Sequence, residues 1–225
     1  MAKKKQTVED QNLENVQDAL NTTSVWIEKN QNKLTWAVTI VVAIVVGVLA
    51  LNTYVIKPKA IEVSNENAKA VTYFMQGDWE KALNGDDAEC VGFQAIADEY
   101  KCYQGGKLAA LYAGACYYQL GQYEDAVAYL SKFSAKDLNL EPAALQLLGD
   151  AYVQLEQLNK AVKAFEAAAK SGNDLIAPMS LKKAGLVYLE LGNNAAAKKA
   201  FEAIKADYPA SAEAQDIEKY IAIAE

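Results

Sequence analysis

Histidine and arginine are both absent from this 225-residue sequence. Without histidine, the chain lacks the commonest general base and metal ligand among the side chains. All 22 basic residues are lysine, so no guanidinium can bind phosphate or carboxylate through two parallel hydrogen bonds. A glycine-rich phosphate loop is also absent. These absences argue against an enzyme, and we predict no catalytic residue, cofactor, metal ion or small-molecule substrate.

Cysteine is scarce, and the three residues, Cys90, Cys102 and Cys116, form no CxxC pair. That spacing excludes the usual zinc and thioredoxin-like patterns. Cys116 lies among small residues in a helical pattern, so we predict that it fills core space. Cys90 and Cys102 flank a helix-like segment, and in an oxidising compartment they either form a disulfide or stay free.

Positive charge is in deficit after the first quarter of the chain. Residues 57–225 contain 17 lysines against 24 acidic residues. A surface of this sign repels a phosphate backbone, so we predict no nucleic-acid partner.

One long run without any charge is present, from Leu34 to Ile56. A helix of these 23 residues would be roughly 34 Å long, enough to cross a bilayer. We predict a polar N-terminal tail over 1–33 and a transmembrane helix over 34–56. A signal peptide cleaved near Ala50 is the alternative, but it fits less well after 33 polar residues. In the tail, the spacing of Leu13, Val16 and Leu20 indicates either a short amphipathic contact helix or a solvated one.

The rest of the chain repeats itself. A glycine followed three residues later by a tyrosine occurs as Gly114 with Tyr117, Gly149 with Tyr152, and Gly185 with Tyr188. The glycines are 35 and 36 residues apart, close to the period of about 34 of tetratricopeptide repeats, which are pairs of antiparallel helices. The sequence therefore predicts an all-α tetratricopeptide superhelix with three clear repeats over 107–208.

The recurring positions of the repeat have predictable structural roles. The glycines and the later alanines Ala126, Ala161 and Ala197 would let the two helices of a pair approach closely. Gly121 and Gly192 would make the turn between them. The middle repeat has Glu156 at this turn, which predicts a less ideal turn and the same fold.

Both ends of the superhelix are also visible in the sequence. Residues 57–106 form a helical stem and a degenerate repeat, whose matching residues are Tyr73, Gly77, Trp79 and Ala82. An insertion, Leu83–Glu89, is predicted as an exposed loop, and Lys101–Lys107 as a second loop. Residues 209–225 are predicted to form a C-terminal capping helix, because a solenoid needs its last core face covered.

The first helix of each pair is expected to line the concave surface. Counting from the glycines places apolar and amide side chains there, which would suit an extended or helical apolar segment of a protein partner. The candidate partner-binding residues are Leu108, Leu111, Tyr118, Gln119, Gln146, Asp150, Val153, Gln154, Leu186 and Leu189. For each of them, packing against a neighbouring helix is the alternative role.

The order of parts resembles the membrane-anchored tetratricopeptide proteins that accompany the Sec translocon in the bacterial inner membrane. WIEKNQNKL, Trp26 to Leu34, is similar to the aromatic, acidic, asparagine and basic run before the span in that family. The resemblance implies a repeat domain in the periplasm that receives exported polypeptides and associates with the translocon or periplasmic chaperones. It implies a protein-interaction scaffold, chaperone-like in function, as the role of the chain.

The lysines flanking the span hardly distinguish the two orientations, and Lys3 to Lys5 favour a cytoplasmic N-terminus. Two other functions agree with the same architecture. One is a scaffold for cell-envelope assembly or cell division. The other is an organellar import receptor with cytosolic repeats, although the first helices lack the basic and asparagine clamp of chaperone-docking repeat proteins.

Overall fold

The computed structural model describes residues 2–86, 89–135 and 137–225, with side chains described from Val25 onward. The chain divides into two compact units, Met1–Pro58 and Lys59–Glu225.

The first unit contains the helix α1 (Ala2–Leu51), followed by a π-helical turn, Asn52–Ile56. In that turn the Lys57 amide donates to the Asn52 carbonyl, five residues back. The adjacent Pro58 has no N–H, and its ring would crowd the Tyr54 carbonyl in a regular α-helix. A wider turn relieves this conflict. The amphipathic pattern predicted for Leu13, Val16 and Leu20 lies outside the described side chains.

The apolar segment predicted to span a membrane is helical throughout, and its large side chains are exposed except for the half-buried Leu34. Among the described residues, one helix is long and apolar enough to cross a membrane, and its apolar window is not buried within the protein. Trp36 is 69% exposed and Tyr54 80% exposed, so neither ring is packed against the part of the chain whose side chains are described.

The regular secondary structure among the described residues of the second unit is helical, with one isolated β-bridge between Asp86 and Cys90. Its helices are α2 (Lys57–Gln76), α3 (Trp79–Asn84), α4 (Phe93–Glu99), α5 (Gln104–Gln119), α6 (Tyr123–Leu130), α7 (Leu140–Gln154), α8 (Leu158–Ala169), α9 (Ile176–Glu190), α10 (Asn194–Asp207) and α11 (Ile217–Ile223).

The degenerate repeat pairs α2 with a second helix that is split into α3 and α4. Phe74 of α2 contacts both parts, because its ring lies 4.9 Å from Trp79 and 6.3 Å from Phe93. The predicted insertion is shifted, since Leu83 belongs to α3 and is 2% exposed. The connection therefore begins at Gly85, and the expectation of an exposed loop from Leu83 was wrong.

The second predicted loop, Lys101–Lys107, is also shorter than expected. Helix α5 begins at Gln104, and Gly106 within it is buried. A Cβ atom at Gly106 would lie 2.0 Å from the Tyr100 carbonyl oxygen. Gly106 therefore allows the start of α5 to pack closely against the backbone of Tyr100.

The three clear repeats are the pairs α5 with α6, α7 with α8, and α9 with α10. A Cβ at Gly149 would lie 2.5 Å from the Phe165 ring, and one at Gly185 would lie 2.3 Å from the Phe201 ring. Both phenylalanines are at most 1% exposed. At Gly114 the side chain in the same role is Leu130, 2.5 Å away. The predicted close approach of the paired helices is thus present in all three repeats.

The turns between the paired helices share one backbone conformation. Gly121 and Gly192 have φ angles of 76° and 71°, and Glu156 takes the same left-handed region with φ 57°. The glutamate is the one described non-glycine residue with a positive φ. The middle repeat therefore keeps the turn and accepts the steric cost of a Cβ there.

The C-terminal end is covered by a short 3-10 turn, Glu213–Asp216, and α11. Ile217 is 1% exposed and packs into the cluster that contains Phe201. Lys182 of α9 binds Asp216 at 2.6 Å. The predicted capping helix is present.

All three cysteines are free thiols: Cys90 and Cys116 are buried, and Cys102 is exposed. Burial raises the pKa of Cys116 to about 12, which makes the thiol a poor nucleophile. The prediction that Cys116 fills the core is confirmed, because it is 0% exposed.

Candidate partner-binding groove

The first helices of the three pairs, α5, α7 and α9, carry little charge. Only six of their 46 residues are charged, against ten of the 34 residues in α6, α8 and α10. Three of the six lie in a first or last turn: Lys107, Glu141 and Glu190. The middle of the first-helix surface therefore holds three charges, Asp150, Lys182 and Lys183.

All three of these charges are paired. The Lys183 ammonium of α9 lies 2.8 and 2.6 Å from the two carboxylate oxygens of Asp150 on α7. Lys182 turns the other way and binds Asp216 beside the cap. The first-helix surface consequently has no unpaired charge along its middle.

The Asp150–Lys183 ion pair links α7 to α9, and the negative charge of Asp150 also acts on Tyr118 of α5. Burial raises the pKa of Tyr118, and the charge of Asp150 raises it further. Interaction with the Gln154 side chain, one turn beyond Asp150, acts on the same hydroxyl in the opposite direction. We call Tyr118, Asp150, Gln154 and Lys183 the groove cluster.

The ten residues predicted to bind a partner are all at least partly accessible. Gln119, Gln154 and Leu186 are exposed, and Leu186 is 42% exposed. The other seven are half-buried: Leu108, Leu111, Tyr118, Gln146, Asp150, Val153 and Leu189.

Several of the half-buried residues also pack against the core. Leu111 and Tyr118 contact the first core cluster, Val153 the second and Leu189 the third. Tyr118 also meets Tyr123 at an edge-to-face ring distance of 5.5 Å. These residues combine a packing role with a partly open face, as expected for the floor of a groove.

Lys183 is the residue of the groove cluster that the sequence reasoning missed. It lies 33 residues after Asp150, close to one repeat period. Its ammonium also lies 5.8 Å from the centre of the Phe165 ring, so the side chain crosses from α9 towards the preceding pair. A search for opposite charges one repeat apart on first helices would have found both Lys182 and Lys183.

Several charged residues outside the first helices are paired with tyrosine side chains or with one another. Tyr188 donates to Glu166 at 2.7 Å, and Tyr129 donates to Asp98 at 2.7 Å. Lys132 pairs with Asp98 and lies 3.7 Å from the centre of the Tyr129 ring. Among the described residues, no group of three acidic or cysteine side chains is arranged to hold a metal ion.

A family model described as tetratricopeptide repeat matches residues 108–137 and 181–211, and a second model of that description matches 142–171. The matched segments begin and end close to the helix pairs of the three clear repeats. These are tetratricopeptide repeats. The tetratricopeptide unit is a protein-interaction scaffold, and proteins of this kind are generally not enzymes.

Two similar solved structures, both with TM-scores above 0.5, agree with that fold. The nearly identical TPR-like repeats of a Podosopora anserina protein assigned to the kinesin light chains have a TM-score of 0.53 and 17% identity, covering 73% of this chain and 86% of that one. A variant of the same repeats has a TM-score of 0.54 and 16% identity, covering 73% and 85%. The crystal structure of MamA has 21% identity and a TM-score of 0.48, covering 69% and 91%. No curated protein sequence matches the chain.

Proposed function

We propose that this chain is a membrane-anchored tetratricopeptide scaffold that receives exported polypeptides beside the Sec translocon of the bacterial inner membrane. The observation that carries the proposal is the first-helix surface without unpaired charge along its middle, in a chain that also has an unburied apolar helix. The first feature suits contact with apolar protein segments, and the second suits a bilayer. The chain is proposed to have no catalytic activity of its own.

The side chains of α1 and the π-helical turn support a membrane anchor. Trp36 and Tyr54 lie 18 residues apart, about 27 Å along a helix, which is close to the thickness of a bilayer core. Aromatic rings are enriched at that spacing because they prefer the two interfaces. Lys33 and Lys57 lie just outside them, where long basic side chains reach the headgroups.

The partner-binding surface is proposed to be the groove formed by α5, α7 and α9. Its floor offers leucine, valine and tyrosine side chains, and Gln119 and Gln154 offer exposed amides. Apolar contacts give such a groove affinity for an extended or helical segment, and the amides bind exposed backbone groups. Unfolded clients expose such segments, whereas folded proteins bury them.

The proposed topology has the tail over 1–33 in the cytoplasm and the repeats in the periplasm. Protease added to intact spheroplasts should remove the repeat domain and spare the tail. Protection of the repeats until lysis would reverse the orientation and favour an import receptor in the cytosol.

The partner can be identified by photocrosslinking in cells. A photoreactive amino acid at Tyr118 or Val153 should crosslink to translocon subunits or exported chains. Lys163 on α8 and Lys132, just after the end of α6, are exposed and provide control positions. If only division or envelope-assembly factors are recovered, the chain is a scaffold for those processes and not a translocon partner. Equal crosslinking yields at all four positions would contradict the proposal that the groove is the binding surface.

A further inference from the structure

The geometry of the Asp150–Lys183 ion pair distinguishes it from the other ion pairs of the repeat domain. Its side chains are 25% and 34% exposed, whereas each of the other ion pairs among the described residues includes one side chain that is about half exposed or more. The ammonium contacts both carboxylate oxygens. Two sites of reduced exposure thus hold opposite charges in direct contact, which makes their mutual neutralisation stronger than at an open surface.

Because of its position, the Asp150–Lys183 ion pair would lie beneath a polypeptide segment bound in the groove. Asp150 lies on α7 and Lys183 on α9, the first helices of two neighbouring pairs. A segment lying along the groove would therefore cross the pair. Lys182, the residue before Lys183 on α9, is itself held by Asp216 at 2.6 Å. A charged side chain of the segment would lose hydration there without finding an unpaired opposite charge.

We infer that the Asp150–Lys183 ion pair determines the charge specificity of the groove, restricting it to polypeptide segments of apolar and amide side chains. The inference rests on the proposed function, because it concerns the same groove. With the pair intact, segments rich in lysine or in aspartate bind more weakly than uncharged ones. Removing one partner leaves a single charge in the groove and shifts the preference towards segments of opposite charge.

Peptide binding to the full-length chain in nanodiscs of zwitterionic lipid tests this inference. Three fluorescent peptides of equal length are compared by anisotropy: one of leucine, glutamine and serine, one with two added lysines and one with two added aspartates. Empty nanodiscs give the background for partition into lipid. The wild-type chain should bind the uncharged peptide at least about threefold more tightly than either charged peptide.

The variants should change the order of the three affinities. Asp150→Asn leaves Lys183 unpaired and should favour the aspartate peptide over the lysine peptide by about three- to tenfold. Lys183→Met keeps the aliphatic stem and should favour the lysine peptide by a similar factor. Asp150→Asn combined with Lys183→Met should restore the preference for the uncharged peptide. Added salt should weaken the new preferences of the single variants.

Lys205→Met with Glu218→Gln is the matched control, because it removes an exposed pair outside the groove. It should leave the order of affinities unchanged, and circular dichroism should show each variant folded. If Asp150→Asn unfolds the domain, the charge preferences of Lys183→Met and of the double variant test the inference. If the wild type binds the peptides and both single variants keep its order of affinities, the inference is wrong, while the proposed groove still stands. No binding of any peptide by the wild type would overturn the proposed groove as well.

Discussion

The second and third repeats of this chain share one packing design and differ in three details around it. Both close a glycine of the first helix onto a buried phenylalanine of the second, Gly149 on Phe165 and Gly185 on Phe201. Around this contact they differ in the partner of the tyrosine, in one buried hydroxyl and in the residue at the turn. These two repeats therefore keep the contact between the glycine and the buried phenylalanine and differ in the residues around it.

Enlarging the shared glycine should have the largest effect. Because a Cβ at Gly149 would already lie within 2.6 Å of two atoms of the Phe165 ring, Gly149→Leu must separate α7 from α8. Overpacking of a buried contact typically costs 1–3 kcal/mol and sometimes more, so we expect a loss of about 3 kcal/mol or more. Gly185→Leu should cost the same. Denaturant unfolding followed by circular dichroism gives both values.

Ala143→Leu is the control for this pair of variants. Ala143 lies on the same helix as Gly149 and is exposed, and leucine is nearly as good a helix former as alanine. Its stability should change by less than about 0.5 kcal/mol. An equal loss in Ala143→Leu, or no loss in Gly149→Leu, would contradict the alignment of the repeats.

The tyrosines that follow the two glycines differ in their partners. Tyr188 donates to Glu166 at 2.7 Å, whereas the ring of Tyr152 lies 5.5 Å from the Lys160 ammonium. Tyr188→Phe should therefore cost about 1 kcal/mol, because it removes a hydrogen bond to a carboxylate at a partly open site. Tyr152→Phe should be nearly neutral, since phenylalanine keeps the ring. Equal losses in both would contradict the role of the Glu166 bond.

The same comparison extends to alkaline pH. Burial, followed by the hydrogen bond to Glu166, raises the pKa of Tyr188 from 10.0 to about 12. A raised pKa stabilises the folded state while the group is protonated, and that contribution disappears as pH rises from 10 to 12. Tyr188→Phe should flatten the loss of stability in that interval relative to the wild type. An unchanged slope would show that other groups account for it.

The sequence was sufficient for the features that recur with the repeat and insufficient for those that depend on contacts between repeats. The close glycines, the turns and the cap follow from local spacing. Lys182 and Lys183 are adjacent, and only a rotation of about 100° around α9 decides which of them meets Asp150. That rotation is set by how neighbouring pairs stack.

The start of α5 illustrates a second limit. Two consecutive glycines at 105 and 106 favour a loop by intrinsic propensity. In the structure a Cβ at Gly105 would lie 2.5 Å from Val63, so α2 approaches the helix too closely for a larger residue. Tertiary packing therefore overrides the local preference, and the approaching residue is 42 positions away in the sequence.

A buried hydroxyl is the second difference between the repeats, and its removal should be stabilising. Ser180 is 0% exposed and its hydroxyl has no hydrogen-bond partner, whereas the corresponding residue of the second repeat is Ala144. Ser180→Ala should therefore stabilise the domain by about 1 kcal/mol, through the relieved hydroxyl and better helix propensity. The reciprocal Ala144→Ser should destabilise it by a similar amount. A loss of stability in Ser180→Ala would indicate that the hydroxyl is satisfied in solution.

The turn gives the smallest expected effect and the most direct test of the comparison. Glu156 has φ 57°, where a side chain costs about 1–2 kcal/mol, and the equivalent Gly192 has φ 71° without that cost. Glycine also makes the unfolded chain more flexible, which offsets about 0.4–1 kcal/mol of the gain. Glu156→Gly should therefore stabilise the domain by about 0.5 kcal/mol, and Gly192→Glu should destabilise it to a similar extent.

Glu156→Ala separates the effect of backbone strain from the effect of charge, because it removes the carboxylate and keeps the Cβ atom. If Glu156→Ala stabilises the domain as much as Glu156→Gly, the relevant property of Glu156 is its charge, and the left-handed backbone of the middle turn is not strained.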